Sequence, residues 1–339
     1  MDLFSTGVLT RIVQDLRLPQ TGLLNRYFPT VSLNDTEEIY FDVDNKPRRI
    51  SPFVSPLVEG KVVRSRGYAT NTFKPAYVKD KRVFTANRAI KRVMGERVGT
   101  ASLTPEQRMM VLLAQDLQDQ LEMLRRRMEW MAAQVLYNGA VTISGDDYPT
   151  VSVDFGRAAG QTIVKTNPNR WSDAGINPLN DLQDWSDLMV KSTGVALTDV
   201  VMTIDVWKVF RASSFVTSRL DRMRGNSTLQ QDAAMAEGLI PMGSVDGFNF
   251  YVYSSWYVDP VSGTETAMLP AGTVLGLGGG NVEGVQHYGA IQDHDKLAAV
   301  EYFVKSWLDQ DPSVRYLMMQ SAPLVVPYRV NATLRATVL

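Results

Sequence analysis

The sequence predicts an α+β chain, and three observations predict it. One uninterrupted helical stretch runs from Thr104 to Gly139; segments with β-branched and aromatic alternation lie on both sides of it; and those strands are not separated by regularly spaced helices. The last point argues against a doubly wound parallel sheet, whose helices and strands alternate along the chain. The 339 residues, 45% hydrophobic with a formal net charge of −1, are enough for two domains or one elongated one. There is no cysteine, which excludes disulfides, thiolate metal sites and a cysteine nucleophile. No apolar run approaches the roughly 20 residues that span a bilayer. The start, MDLFSTGVLTRIVQDL, is charged throughout and does not read as a secretory signal. Near-zero net charge speaks against a dedicated nucleic-acid binder, which usually carries a basic excess. The chain is expected to work in the cytosol or in something assembled there.

In chain order, Ser5 or Thr6 caps a short amphipathic helix with Val8, Leu9, Ile12, Val13 and Leu16 on one side, ended by Pro19. Leu23–Val31 (LLNRYFPTV) is apolar and aromatic, with Pro29 breaking any regular element. It reads either as an arm that adheres to another molecule or as the strand-and-turn edge of a core. Asp35, Glu37, Glu38, Asp42 and Asp44 then cluster with no base between them, and Glu37–Val43 alternates like a strand. Pro47, Pro52 and Pro56 keep the following chain extended.

Leu57–Arg92 predicts two strands, LVEGKVVRSRG and KPAYVKDKRVF, joined by a polar, turn-like YATNTF. From Lys61 to Arg92 there are ten Lys or Arg and one acid, Asp80. A hairpin this polar has no core of its own, and isolated hairpins are marginal in water. It either packs on its own domain as a solvated face or reaches out to an acidic surface of another copy.

The long helix has a cap at Thr104, Pro105 in the first helical position and Gln107 three residues after the cap. Asn138-Gly139 supplies the stop, since both residues tolerate left-handed backbone. Met110, Leu113, Leu117, Leu121, Leu124, Met128, Met131 and Val135 alternate steps of three and four and so share one face. Gln115, Asp119, Glu122, Arg126 and Glu129 fill much of the remainder. At 1.5 Å per residue the helix is about 50 Å long, and it needs something equally long to lie on.

Beyond it, Ala140–Phe155 reads as a hairpin turning at SGDDYP. Gln161–Leu179 is loop, and Asn180–Lys191 is a helix capped by Asn180 and closed by Gly194. Val200–Ile204 is a buried strand, Asp205–Arg211 a short helix, Phe215–Gly225 a basic stretch and Ser227–Ala236 helical. Phe248–Val258 and Thr273–Gly276 are strands, and Glu301–Trp307, Tyr316–Ala322 and Arg329–Val338 are closing strands.

No active site emerges. Gly276–Asn281 (GLGGGN) follows a strand as a dinucleotide fingerprint would, but its last position is Asn281 and no helix follows to hold a pyrophosphate. A flexible glycine loop is the simpler reading. His287 and His294 are the only histidines; Asp293, His294 and Asp295 offer oxygen and nitrogen to a metal, and alternation at a loop or strand end explains them as well. There is no G-x-S-x-G elbow and no Walker loop. Neither cofactor nor catalytic residue is expected.

The order of these parts, an N-terminal arm, a basic extended hairpin, one very long helix and a mixed α/β region, resembles the tailed-phage capsid fold named after phage Hong Kong 97. More specifically, the sequence is similar to the lambda-type capsid protein E family. The resemblance is carried by SPLVEGKVVRSRG (Ser55–Gly67), the F-x-P-x-Y-V-K run at Phe73–Lys79, VDFGR (Val153–Arg157), DVWKVFRASSFVTSRLDRMRGNS (Asp205–Ser227), YGAIQDHD (Tyr288–Asp295) and MMQSAPLV (Met318–Val325), in family order.

The resemblance implies an N-terminal arm over 1–52, an extended loop over 53–92 that lies across the adjacent subunit, and a peripheral domain over 93–179 with the 105–138 spine helix. An axial domain over 180–299 and closing strands over 300–339 complete the scheme. It implies a non-enzymatic shell subunit that forms pentamers and hexamers around double-stranded DNA in a virion assembled in host cytoplasm. Implied partners are a trimeric decoration protein at threefold sites, portal and scaffolding or protease proteins during assembly, and non-specifically packaged DNA, with no membrane. The expected inter-subunit contacts pair Lys61, Arg64, Arg66, Lys79, Lys81 and Arg82 of one copy with Glu37, Glu38, Asp42 and Asp44 of another.

Overall fold

Thr104 caps the long helix as its spacing predicts. Its hydroxyl accepts from the Gln107 amide, the Gln107 side chain accepts from the Thr104 amide, and the helix then runs unbroken over Pro105–Asn138. Gly139, at φ 70°, takes the left-handed conformation that ends it. The computed structural model describes residues 6–16, 21–36, 38–43, 50, 53, 69–85, 87–88, 91, 103–145, 148–223, 238–260, 262–294, 296–311 and 313–339. The expected strand LVEGKVVRSRG and the expected helix Ser227–Ala236 lie outside the described residues.

Two helices, Thr6–Asp15 and Gly22–Tyr27, precede β1 (Thr30–Leu33), β2 (Ile39–Val43), β3 (Ala69–Phe73) and β4 (Val78–Thr85). After the long helix come β5 (Ala140–Gly145), β6 (Tyr148–Asp154), β7 (Thr162–Val164), a helix over Pro178–Thr193 and β8 (Asp199–Met202). Helices Ile204–Ala212 and Ser214–Met223 follow, then β9 (Leu239–Val245), β10 (Phe248–Tyr253), β11 (Trp256–Val258), β12 (Glu265–Ala267), β13 (Thr273–Leu277) and β14 (Gly284–Tyr288). The chain ends through β15 (Ala290–Asp293), β16 (Lys296–Ala299), β17 (Phe303–Gln310), β18 (Ser313–Ser321), β19 (Pro323–Pro327) and β20 (Thr333–Thr337).

Three sheets position everything else. A six-stranded sheet has the order β7-β20-β13-β8-β10-β9, mixed in direction; a three-stranded sheet has the order β1-β14-β19; and β17-β18-β4 forms a second three-stranded sheet. β8 is buried on both faces, which is why its VVM reads as a continuous apolar run. Val200 and Met202 join a cluster with Leu182, Trp185, Phe210 and Phe250 under the helices, whereas Val201 joins the cluster of Met128, Leu136 and Tyr253 on the opposite side. Trp171 stacks on Trp185 at 5.8 Å in the first of these clusters.

The long helix therefore lies on two cores. Its leading half packs Leu113, Leu117, Leu121 and Leu124 against Leu9 and Val13 of the N-terminal helix and against Val304, Leu317 and Met319 of the β17-β18-β4 sheet. Its trailing half packs Met128, Met131, Val135 and Leu136 against Leu24, Phe28, Leu275 and Val325. Met110, the first residue of the predicted apolar face, is 52% exposed and joins neither of these clusters.

The structure departs from the sequence reading at several points. YATNTF is no turn: Ala69–Phe73 is strand β3, paired antiparallel with β2. The other expected hairpin strand, β4, pairs with β18 and so packs on its own chain. Within Leu23–Val31, Gly22–Tyr27 supplies a short helix that the pattern does not reveal, with Leu23, Leu24 and Phe28 fully enclosed, and Thr30 and Val31 open the edge strand β1. Asn177, not Asn180, caps the Pro178–Thr193 helix, because Pro178 occupies its first turn. β9, β14 and β19 are strands that the pattern does not reveal; PLVVP in β19 is buried at every position and shows no alternation. Two glycines of GLGGGN serve close packing. A Cβ on Gly278 would meet Val195 at 2.5 Å, and one on Gly276 would meet Leu197 at 2.8 Å.

Candidate assembly surfaces and the joints behind them

β4 alternates, so its two faces do different work. Val78, Arg82 and Phe84 face the long helix, and Lys79, Lys81, Val83 and Thr85 face outward. Lys81 lies 3.8 Å from the ring centre of Tyr316 and 5.3 Å from that of Trp307, and Lys305 approaches the same Trp307 at 5.8 Å. Lys79 sits 5.2 Å from the Tyr77 ring. The outer face of the β17-β18-β4 sheet is thus a layer of ammonium groups laid on aromatic rings. Arg82 points inward, with Nη1 at 3.3 Å from Asp116 and 3.2 Å from Asp119, both on the long helix. Arg88 adds a two-pronged contact to Asp116 at 2.8 and 3.2 Å. Two of the basic residues in this stretch are therefore engaged by their own chain.

Of the other expected contact residues, Glu38 is exposed just before β2 and Asp42 lies on β2. Lys61, Arg64, Arg66, Glu37 and Asp44 lie outside the described residues. A second surface is a cleft of about 660 Å³ between the long helix and the β11–β12 hairpin, lined by Met123, Arg126, Arg127, Trp130, Trp256 and Val258. Trp256 and Val258 are more than half exposed there.

Behind these surfaces, buried polar groups join the parts, and sequence reading missed them. Glu129 is one of the polar residues that fill the helix surface beside the apolar face, yet it is 3% exposed. Its Oε1 accepts from the Leu23 amide at 2.9 Å and the Tyr253 hydroxyl at 2.8 Å, and its Oε2 accepts from the Leu24 amide at 2.8 Å. Burial pushes this carboxyl above the ordinary glutamate range, although the amide bonds pull it back. Asp199 of β8 accepts from Arg26 at 2.8 and 3.0 Å, from Tyr27 at 3.2 Å and from Asn249 at 3.1 Å. Arg125 donates to Gln286 at 3.3 Å and pairs with Glu301 at 3.5 Å. One signal was available: Asp116, Gln120, Arg125 and Glu129 directly adjoin the apolar stripe, so a helix enclosed on more than one side must bury them.

The VDFGR segment closes the long helix. Phe155 is buried, Gly156 turns at φ 73°, and Arg157 donates to the carbonyls of Leu136 and Tyr137 at 2.8 and 2.6 Å. Those carbonyls have no partner within the helix, and a cation there suits the negative end of its dipole. Burial and the nearby Arg335 lower the Arg157 guanidinium to about 10. His287 lies in β14 between Asn34 and Tyr328, at 3.0 and 3.1 Å, and Asp293 holds Lys305 and Gln320. Burial pulls His287 down to about 4, so it is neutral in the fold. Among the described residues, no group of three His, Asp or Glu is placed to hold a metal ion.

The family model for phage major capsid protein E matches residues 5–338. The chain belongs to that family. Relatives in it include the major capsid protein of Enterobacteria phage P21, 29% identical over 96% of each chain, and that of Escherichia phage lambda, 28% identical over 86% of each. The fold matches a crystal structure described as the putative capsid protein of a prophage of Escherichia coli CFT073, with TM-score 0.77 and 21% identity over 98% of this chain and 99% of that one. A mature capsid subunit of bacteriophage PhiM1 matches at TM-score 0.51 and 9% identity, over 95% of this chain and 88% of that one. The tailed-phage capsid architecture that the resemblance implies is the one observed.

Proposed function

We propose that this chain is the repeating wall subunit of a tailed-phage head, associating as pentamers and hexamers into an icosahedral shell around double-stranded DNA. The observation that carries the reading is membership of the capsid protein E family over residues 5–338. The role is structural: self-complementary surfaces do the work, and one chain meets slightly different surroundings in the two kinds of ring.

In this reading residues 1–52 are the arm, 53–92 the loop laid over the neighbour, 93–179 the peripheral domain, 180–299 the axial domain and 300–339 the returning strands. Lys61, Arg64 and Arg66 of the loop, with the outward Lys79 and Lys81, dock on Glu37, Glu38, Asp42 and Asp44 of the adjacent copy. Arg82 contributes indirectly, by fixing β4 to the long helix. A single exposed ion pair gives only about 0.2–1 kcal/mol, but several per subunit repeat over the whole shell. Assembly takes place in the host cytoplasm with portal, scaffolding and protease proteins. A trimeric decoration protein reinforces the threefold positions of a shell that has no cysteine to cross-link. A near-neutral wall suits densely packed DNA held without tight, salt-sensitive binding.

The test is charge reversal in the loop. Arg64→Glu combined with Arg66→Glu is expected to leave soluble, folded subunits that form no shells in electron micrographs. Normal shells from the double variant would end the docking scheme.

A further inference from the structure

The short helix Gly22–Tyr27 sits where the long helix, the six-stranded sheet and the β1-β14-β19 sheet meet. Its own cap position does not serve it: the Thr21 hydroxyl makes no capping bond and donates to Asn25 instead, at 3.1 Å. Glu129 of the long helix takes that role from outside, accepting from the amides of Leu23 and Leu24. A carboxylate at this end also suits the helix dipole. The same carboxylate holds Tyr253 of β10, so one buried group ties together three elements.

At the other end of the short helix, Arg26 and Tyr27 fasten to Asp199 of β8, and Arg26 donates to the Tyr251 hydroxyl of β10 at 2.5 Å. The Phe28 carbonyl then accepts from Gln286 of β14 at 2.6 Å. Gly284 has no room for a Cβ, which would run into the Tyr27 carbonyl and the Phe28 ring. The short helix is therefore fixed against all three bodies, by two buried carboxylates and by close backbone packing.

We infer that the Gly22–Tyr27 helix is a strut that sets the angle between the long helix and the six-stranded sheet, and that Glu129 and Asp199 are the positioning residues that encode the curvature of the assembled shell. The inference rests on the shell reading above. In a closed shell, the angle between two parts of each subunit repeats at every position, so a small change in the joint alters the diameter of the whole. A merely stabilising pair has no such consequence.

The experiment compares shells assembled from Glu129→Gln, Asp199→Asn and Leu182→Ala. Glu129→Gln places an amide NH₂ against the Leu24 N–H, so that bond and the negative charge behind the other two are lost with little change of volume. Leu182→Ala weakens the core under the six-stranded sheet without touching the strut. Hydrogen exchange of the Leu23 and Leu24 amides should quicken by ~10-fold or more in Glu129→Gln, as expected for loss of a charge-assisted bond. Electron micrographs should show mixed diameters or unclosed sheets for Glu129→Gln and Asp199→Asn, and uniform shells for Leu182→Ala. Uniform shells of unchanged diameter from Glu129→Gln, with exchange accelerated, would overturn the inference, as would exchange that does not change. If Glu129→Gln yields no folded subunit, the diameter distribution of Asp199→Asn decides alone. Absence of shells from the unaltered chain would instead count against the shell reading itself.

Discussion

The two halves of the long helix have similar inward residues and opposite mechanical situations. The trailing half is built in: Met128, Met131, Val135 and Leu136 are enclosed, Glu129 takes three buried donors, and Arg157 holds the last carbonyls. The leading half lies on a small sheet and one short helix, and Met110 and Val111 are exposed on it. Its polar attachment is ionic: the buried Asp116 pairs with Arg82 and Arg88, whose side chains keep partial access to water. Apolar periodicity alone does not distinguish a fixed end from a loaded one. The polar groups beside the stripe do: an enclosed carboxylate accepting neutral donors marks a permanent joint, and an ion pair facing water marks one that competes with solvent and salt.

Four measurements sharpen or break that contrast. Glu129→Ala leaves two amides and a hydroxyl buried without an acceptor, and should cost about 3–5 kcal/mol by chemical denaturation, hardly altered by salt. A loss no larger than that at the leading end would erase the distinction. His287, behind the trailing half, has its folded value depressed to about 4 from an ordinary 6.5. Its contribution is therefore present above about pH 6.5 and is lost as the pH falls toward 4, because the unfolded imidazole takes up a proton first. The unaltered chain should lose about 2–3 kcal/mol more than His287→Gln between pH 7 and pH 4. Asp116→Ala should cost about 1–2 kcal/mol at low ionic strength, falling with added salt. Thr104→Ala removes only the cap of the leading end and should lower stability by about 0.5–1 kcal/mol, with faster exchange confined to the first turn.

What the sequence disclosed follows the same division. The long helix was legible to the residue at both ends, because caps, glycine and apolar spacing are local chemistry that the fold does not override. The β5–β6 hairpin and the strand at Val78–Thr85 were legible for similar reasons. Ala69–Phe73 was not: Thr and Asn are permitted in turns and at sheet edges alike, and only the distant partner β2 decides the matter. β19 gave no alternation because both its faces are covered. The acids Glu129 and Asp199 could not be identified as joints, since their partners lie 105 or more residues away in the one case and 50 to 173 in the other. The stretch proposed above for contact between copies carries the clearest compositional signal, a run of bases with aromatic neighbours, and β4 shows what part of that run does within its own chain. Its inward residues bind their own helix, and its outward lysines rest on Tyr316, Trp307 and Tyr77.

A rod anchored at one end amplifies rotation. With the trailing end of the long helix gripped by Gly139, Arg157 and the strut, a tilt of about 5° at that grip would carry the far end about 4 Å, given a length of about 50 Å. That is nearly the spacing between neighbouring strands of a sheet, enough to bring a partner's backbone into register or out of it. Torque applied near Glu129 would thus arrive at β4 as sideways travel, making the helix a pointer whose dial, in the proposed shell, is the neighbouring subunit.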